Sequence, residues 1–130
     1  MRPEHVPFVF PMQLGSPSAD DSIVAGAYFY AHRKCVITSA VVIDGAGIAA
    51  DNSNYVQLEL LNGANVVAEL DSRAAHENAL VVDVAKAMNI SSTYEEVAAG
   101  STLTVNYQET GTVAMTNAMI QISGYWVETV

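Results

Sequence analysis

Two pairs of neighbouring carboxylates, Asp20-Asp21 and Glu95-Glu96, are the first residues in this chain that could carry out acid and base chemistry. Glycoside hydrolysis, for example, divides the general-acid and general-base roles between two carboxyl groups that face the same bond. Adjacent residues of a strand point to opposite faces, so neither pair can act together on one bond in an extended chain. We therefore interpret both pairs as solvated loop charges.

The three histidines, His5, His32 and His76, are the next candidates, because imidazole serves both as a metal ligand and as a proton carrier near neutral pH. They are far apart in the sequence, and none of them forms the closely spaced pair by which a helix presents two ligands to a metal. We expect them to occupy surface or capping positions. A histidine at a subunit boundary would add some pH sensitivity.

Cys35 is the only cysteine, so the chain can form no internal disulfide. Its neighbours Val36 and Ile37 are apolar, which predicts a buried thiol that packs as a small apolar group. A reactive thiol is the alternative.

An oxygen-rich stretch at residues 51–54, together with Asp44, could supply ligands to Ca²⁺. It lacks the alternate-position spacing of a calcium loop, and Asp, Asn and Ser are also the commonest turn formers. The chain contains neither the Gly-x-Ser-x-Gly frame of a serine nucleophile nor a Cys-x-x-Cys pair. We therefore predict no enzyme, no bound metal and no cofactor.

Exposed aromatic side chains would provide a different activity, the stacking of sugar rings. The candidate residues are Tyr28, Tyr30, Tyr125 and Trp126. Aromatic residues in strands more often belong to the core, so an exposed Trp126 would favour a carbohydrate- or receptor-binding module and a buried one would not.

Strands are the elements that must position these residues. Hydrophobic and polar residues alternate cleanly over residues 55–60 and 102–108, the pattern of half-buried antiparallel strands, with Leu103, Val105 and Tyr107 inward. Further strands are predicted at residues 23–32, Cys35–Ile43, 66–70 and 114–127.

Turn residues separate these strands at intervals of about ten residues. Asn62-Gly63 predicts a hairpin, and Gly124 predicts a bulge in a last strand whose inward residues include Ala118 and Trp126. Residues 73–88 fit either a helix or a strand, and the alternation over residues 79–84 favours the strand.

All four prolines lie in the first seventeen residues, where bulky side chains alternate with Pro7 and Pro11. Because proline cannot donate to a β-ladder, this segment is predicted to be an edge strand or an extended arm. We expect an N-terminal arm and linker over residues 1–21. Residues 22–130 are then expected to form an antiparallel β-sandwich or jelly roll of about eight strands.

The charge balance restricts the possible partners. Five Lys and Arg against fourteen Asp and Glu give a formal charge of −9, which would repel nucleic acid and anionic membranes. No run of about 18 apolar residues occurs, and prolines interrupt the only apolar stretch near the N-terminus, so we expect neither a membrane span nor a secretory leader.

The hydrophobic content suggests association. Only 15% of residues are charged and 51% are hydrophobic, whereas typical domains have about 25% charged residues. Burial between subunits or against a larger assembly would account for this excess, and an alanine-rich composition is the alternative.

Residues 97–107 (VAAGSTLTVNY), followed by Gly111 and residues 120–126 (IQISGYW), resemble the small jelly-roll proteins that decorate or cement the heads of tailed bacteriophages. The resemblance covers the C-terminal half and residues Cys35–Ile43. It implies a virion protein, often a homotrimer, that is made in the host cytoplasm, binds the major capsid protein on the capsid surface and clamps subunit junctions. A phage fibre head is the alternative. That family has no catalytic residues. The expected capsid or subunit contacts are Val6, Phe8, Val9, Phe10 and Met12.

Overall fold

The computed structural model describes residues 5–17, 22–74 and 79–127. These ranges contain ten strands, of which seven span seven residues or more and three span two residues. The strands are β1 (His5–Gly15), β2 (Ser22–Tyr30), β3 (Cys35–Ile43), β4 (Tyr55–Asn62), β5 (Asn65–Asp71), β6 (Lys86–Ala87), β7 (Asn89–Ile90), β8 (Glu96–Val97), β9 (Thr102–Thr110) and β10 (Ala118–Val127). No helix in the described ranges is long and apolar enough to cross a bilayer.

The strands form two sheets that pack face to face. Sheet A has the order β1-β10-β3-β6, with β8 also paired to β3, and sheet B has the order β2-β9-β4-β5-β7. Every strand pairing is antiparallel. The predicted all-β class and the sandwich of two antiparallel sheets are confirmed.

Alternation along the strands builds the core, as predicted. Leu103, Val105 and Tyr107 of β9 are fully buried, and so are Ala118, Ile120 and Ile122 of β10 in the facing sheet. Each large apolar side chain buried in this way contributes about 1.5–3 kcal/mol relative to exposure. The Tyr107 hydroxyl keeps its polar end satisfied, because it donates to Glu109 Oε2 at 2.7 Å and accepts from the Met115 amide at 3.3 Å.

The sheet edges are closed to further pairing by several devices. Pro7 and Pro11 interrupt the amide donors of β1, the outer strand of sheet A. In β2, the outer strand of sheet B, four residues lie opposite the single residue Val105, and Gly26 in this bulge has φ +80°. The opposite edges are two-residue strands. Prolines, bulges and short edge strands all prevent edge-to-edge association.

The N-terminal segment belongs to sheet A. Its pairing with β10 runs from His5 opposite Val127 to Gly15 opposite Ala118. The structure therefore places residues 5–15 in an edge strand of sheet A, the first of the two predicted alternatives, and not in a separate arm.

The predicted strand at residues 79–84 is wrong, and the alternative helix is also not formed in the described part of residues 73–88. Leu80 makes only an isolated bridge to Ile48, with two backbone hydrogen bonds of 2.7 Å. A turn follows, in which Asp83 has φ +58°. A strand cannot continue through this left-handed conformation, so the apolar alternation continues into an exposed turn.

The hairpin at Asn62-Gly63 is confirmed, with a small shift in its position. Asn62 pairs with Asn65, so the loop consists of Gly63 and Ala64. Gly63, the first loop residue, has φ +62°, as a type II′ turn requires.

Candidate functional site

The structure describes only some of the side chains of the candidate histidines and paired carboxylates. His32 is exposed and its ring lies 4.5 Å from the indole of Trp126, whereas His5 begins β1. His76 and the pair Asp20-Asp21 lie outside the described residues. In the described ranges, no three His, Cys, Asp or Glu side chains come together as a metal site requires.

Asp44, considered above as a calcium ligand, is fully buried and ties two loops together. Its Oδ2 accepts hydrogen bonds from the amides of Ala46 and Gly47 at 3.2 and 2.7 Å, and its Oδ1 accepts one from Thr116 at 2.8 Å. Three backbone N–H groups therefore satisfy this carboxylate. Its hydrogen bonds link the loop after β3 to the loop before β10.

Asp51 organises a second loop in the same way. Its Oδ1 accepts from the amides of Ser53 and Asn54 at 2.6 and 2.8 Å. These hydrogen bonds to the charged form hold the pKa of Asp51 below its usual value. The polar stretch that was considered as a source of calcium ligands thus stabilises a turn.

Cys35 is fully buried, which confirms the prediction for its thiol. Burial disfavours the thiolate and raises the pKa of Cys35 to about 11.

We expect native Cys35 to react with a chromogenic disulfide reagent at least a hundredfold more slowly than the unfolded chain. Both the high pKa and the lack of access suppress the nucleophilic thiolate. Stopped-flow absorbance in the presence and absence of urea measures the two rates. Rapid labelling of the native protein, at a rate near that of a free thiol, would show that the Cys35 site opens.

The predicted stacking aromatics are divided among three locations. Trp126 is half-buried and packs against Phe8 and Phe29, with ring centroids 4.6 and 5.8 Å away. Tyr28 and Tyr30 are exposed on the outer face of sheet B, with exposed fractions of 51% and 60%. Tyr125 lies on the outer face of sheet A. Trp126 is therefore part of an interior cluster, and only Tyr28 and Tyr30 share an open face.

The predicted capsid or subunit contacts are also divided. Phe8 and Phe10 are half-buried and pack on the core, and Met12 is 2% exposed within it. They point inward because this side of β1, a strand of sheet A, faces Phe29 of sheet B. Val6 and Val9, in contrast, are 42% and 61% exposed.

The outer face of sheet B is acidic. Glu59 and Glu69 lie directly opposite each other on β4 and β5, and Asp71 lies beside them in a shallow groove. Asp71 accepts a hydrogen bond of 3.0 Å from Gln57 Nε2 and forms a bidentate ion pair with Arg73. We call this surface the acidic face.

The outer face of sheet A has the opposite character. Twelve outward residues of its three long strands, all of them uncharged and at least partly exposed, form what we call the neutral face. They are Pro7, Val9, Pro11 and Gln13 of β1, Met119, Gln121, Ser123 and Tyr125 of β10, and Val36, Ser39, Val41 and Ile43 of β3. At one corner, Glu96 of β8 pairs with Lys34 at 3.3 Å.

An apolar turn projects beside the neutral face. Val81, Val82 and Val84, which we call the valine turn, are 59%, 49% and 52% exposed. Hydrogen bonds hold the backbone of this turn in place. The Asp83 amide donates to the Asp44 carbonyl at 2.9 Å, and the Val84 amide donates to the Val81 carbonyl at 3.1 Å.

No family model, curated protein or solved structure gives a significant match to this chain.

What the chain does must therefore be inferred from its own surfaces. Sequence patterns alone did not indicate the neutral and acidic faces, because the segregation of charge becomes visible only when strand register is known. The valine turn could have been suspected from three valines within four residues, a run that is unusual on an exposed surface.

Proposed function

We propose that this chain is a structural virion protein, a jelly-roll domain that forms a homotrimer and binds the exterior of a phage capsid at subunit junctions. The observation that carries this proposal is the valine turn, three apolar side chains held in the open by a hydrogen-bonded frame. Exposed apolar groups on a rigid support are typical of protein contact sites, since their burial in a partner costs little ordering entropy.

The strand order supports the jelly-roll part of the proposal. A jelly roll arranges eight strands as two sheets joined by Greek-key crossings. Here β1-β10-β3-β6 and β2-β9-β4-β5 alternate between the sheets in the same manner, with the first and last strands adjacent. Jelly rolls are common in viral capsid proteins, although a fold alone does not determine function.

The distribution of charge supports a place on the outside of a particle. Glu59, Glu69 and Asp71 share one face of a chain whose formal charge is −9. Such a surface would repel packaged nucleic acid, and it would remain soluble when directed toward the medium.

The test uses particles purified on a density gradient from the culture that naturally produces the chain. We expect peptide mass spectrometry to find the chain in the capsid band, and antibody labelling in electron micrographs to mark the shell. Purified chain should also rebind to particles from which it has been stripped with mild denaturant. A chain that stays entirely in the soluble fraction and does not rebind would contradict the proposal.

A matched pair of variants tests the role of the valine turn in the same assay. V82S combined with V84S should weaken rebinding by tenfold or more, since burying each valine contributes about 1.5–3 kcal/mol. I23S is the control, because Ile23 is similarly exposed, at 46%, but lies on β2. Equal binding by both variants would show that the valine turn is not the contact.

The second candidate function is a carbohydrate- or receptor-binding module such as a fibre head, and the exposure of Tyr28 and Tyr30 on one face favours it. Antibody labelling at fibre tips instead of on the shell would support this function over capsid binding. Loss of carbohydrate or receptor binding in Y28A would support it as well.

A further inference from the structure

We infer that copies of this chain associate with each other through the neutral face. This inference rests on the proposed function, which includes self-association, and it identifies the surface involved. The predicted partner is a second copy of this chain, and the evidence comes from charge, edge structure and area.

The first argument is the charge of the chain. Two copies that met through the acidic face would bring Glu59 and Glu69 of one copy against an equally anionic surface, because Arg73 offsets only the charge of Asp71. Like charges placed together at an interface are strongly unfavourable. The neutral face is the broad sheet surface on which an anionic chain can meet its own copy without that repulsion.

The second argument is composition. Val9, Val41 and Met119 contribute apolar surface to the neutral face, and Tyr125 contributes an aromatic ring. The cores of homodimer interfaces have this character: they are depleted of charge and enriched in aromatic residues and methionine.

The third argument excludes the competing mode of association. Sheets can join edge to edge, but Pro7 and Pro11 remove amide donors from β1, and a bulge interrupts β2. The remaining edges are only two residues long. Association through a face is therefore favoured over continuation of either sheet.

The fourth argument is area. The strand β10 has ten residues, and at about 3.3 Å per residue and about 4.8 Å between strands, the three long strands present a surface of roughly 33 by 14 Å. Two copies would together bury on the order of 950 Å², which is close to the roughly 1,000 Å² expected of a specific interface.

The experiment compares S39E with T102E by sedimentation velocity. Ser39 and Thr102 are both exposed strand residues, Ser39 on the neutral face and Thr102 on the outer side of sheet B. We expect the unmodified chain to sediment as an oligomer whose mass is a multiple of 13.8 kDa. S39E should weaken association by tenfold or more, and T102E should leave it unchanged.

Thermal melting confirms that both variants remain folded before their masses are compared. An unmodified chain that stays monomeric, or an S39E variant that still assembles normally, would overturn the inference. The particle assay separates this failure from failure of the proposed function. A monomer that still binds capsids contradicts self-association and the neutral-face interface but leaves capsid binding standing, and an oligomer broken by S39E that binds no particle contradicts only the virion role.

Discussion

Replacing Gly124 with alanine is expected to lower the free energy of unfolding by about 3 kcal/mol or more. Gly124 lies on β10 where the register with β3 shifts. A Cβ atom there would overlap the Val36 carbonyl oxygen and lie 3.0 Å from the Val36 carbonyl carbon and 3.2 Å from Ile37 Cα. These are backbone atoms of a paired strand, so they cannot rotate away as a flexible side chain would. Relief would require β3 and β10 to separate in the middle of sheet A.

Urea denaturation followed by far-UV circular dichroism measures this effect, and two other substitutions provide controls. S123A changes the neighbouring position on the outer side of β10 and should alter stability by less than about 0.5 kcal/mol. G63A places a methyl group in open space at φ +62°, so only backbone strain, about 1 kcal/mol, should appear. If G124A were as stable as S123A, the close approach of β10 to β3 would be contradicted.

The sequence predicts the inner structure of the domain well, because a strand with one buried face has apolar residues at every second position. Leu103, Val105 and Tyr107 alternate with polar residues and are all buried. The bulge at Gly124 was predictable for a related reason, since a glycine inside an otherwise apolar strand indicates a close backbone approach.

The exposed parts of the fold were harder to predict, because the same apolar pattern can face a partner or the core. Leu80, Val82 and Val84 alternate as the residues of a strand do, yet Asp83 adopts a left-handed conformation and both valines are exposed. On β1 the opposite occurred: Phe8 and Met12 belong to the domain's own core, and the open side is carried by Val9 between two prolines.

The candidate surfaces depend on strand register, which no local pattern specifies. Glu59 and Glu69 are ten positions apart in the sequence and become cross-strand neighbours only because the β4–β5 hairpin turns at Gly63. The neutral face likewise combines residues from both ends of the chain. Composition predicted that association hides apolar surface, and the face proposed for that association could be identified only from the order β1-β10-β3.

The buried Asp44 links the stability of the sandwich to the shape of the valine turn. Its carboxylate accepts hydrogen bonds from the loop after β3 and from Thr116, and its backbone carbonyl accepts one from the Asp83 amide. One residue therefore connects three segments at the same end of sheet A. A change at Asp44 should affect both the free energy of unfolding and the presentation of Val82 and Val84.

Substitution of Asp44 by alanine is expected to reduce the free energy of unfolding by about 2–4 kcal/mol, because backbone donors that bond the carboxylate lose their acceptor where water has little access. D44N should cost less, since its single amide oxygen can still accept from one side. D51A is the control, because its two amide donors can turn to solvent, and it should cost clearly less than D44A. Urea titration gives the three values, and amide hydrogen exchange at Gly47, Asp83 and Thr116 shows which loops open. Faster exchange at all three amides in D44A, with D51A unchanged, is the expected result. Stability of D44A equal to that of D51A would show that the Asp44 carboxylate does not hold these loops, and the rigid frame beneath the valine turn would then need another source.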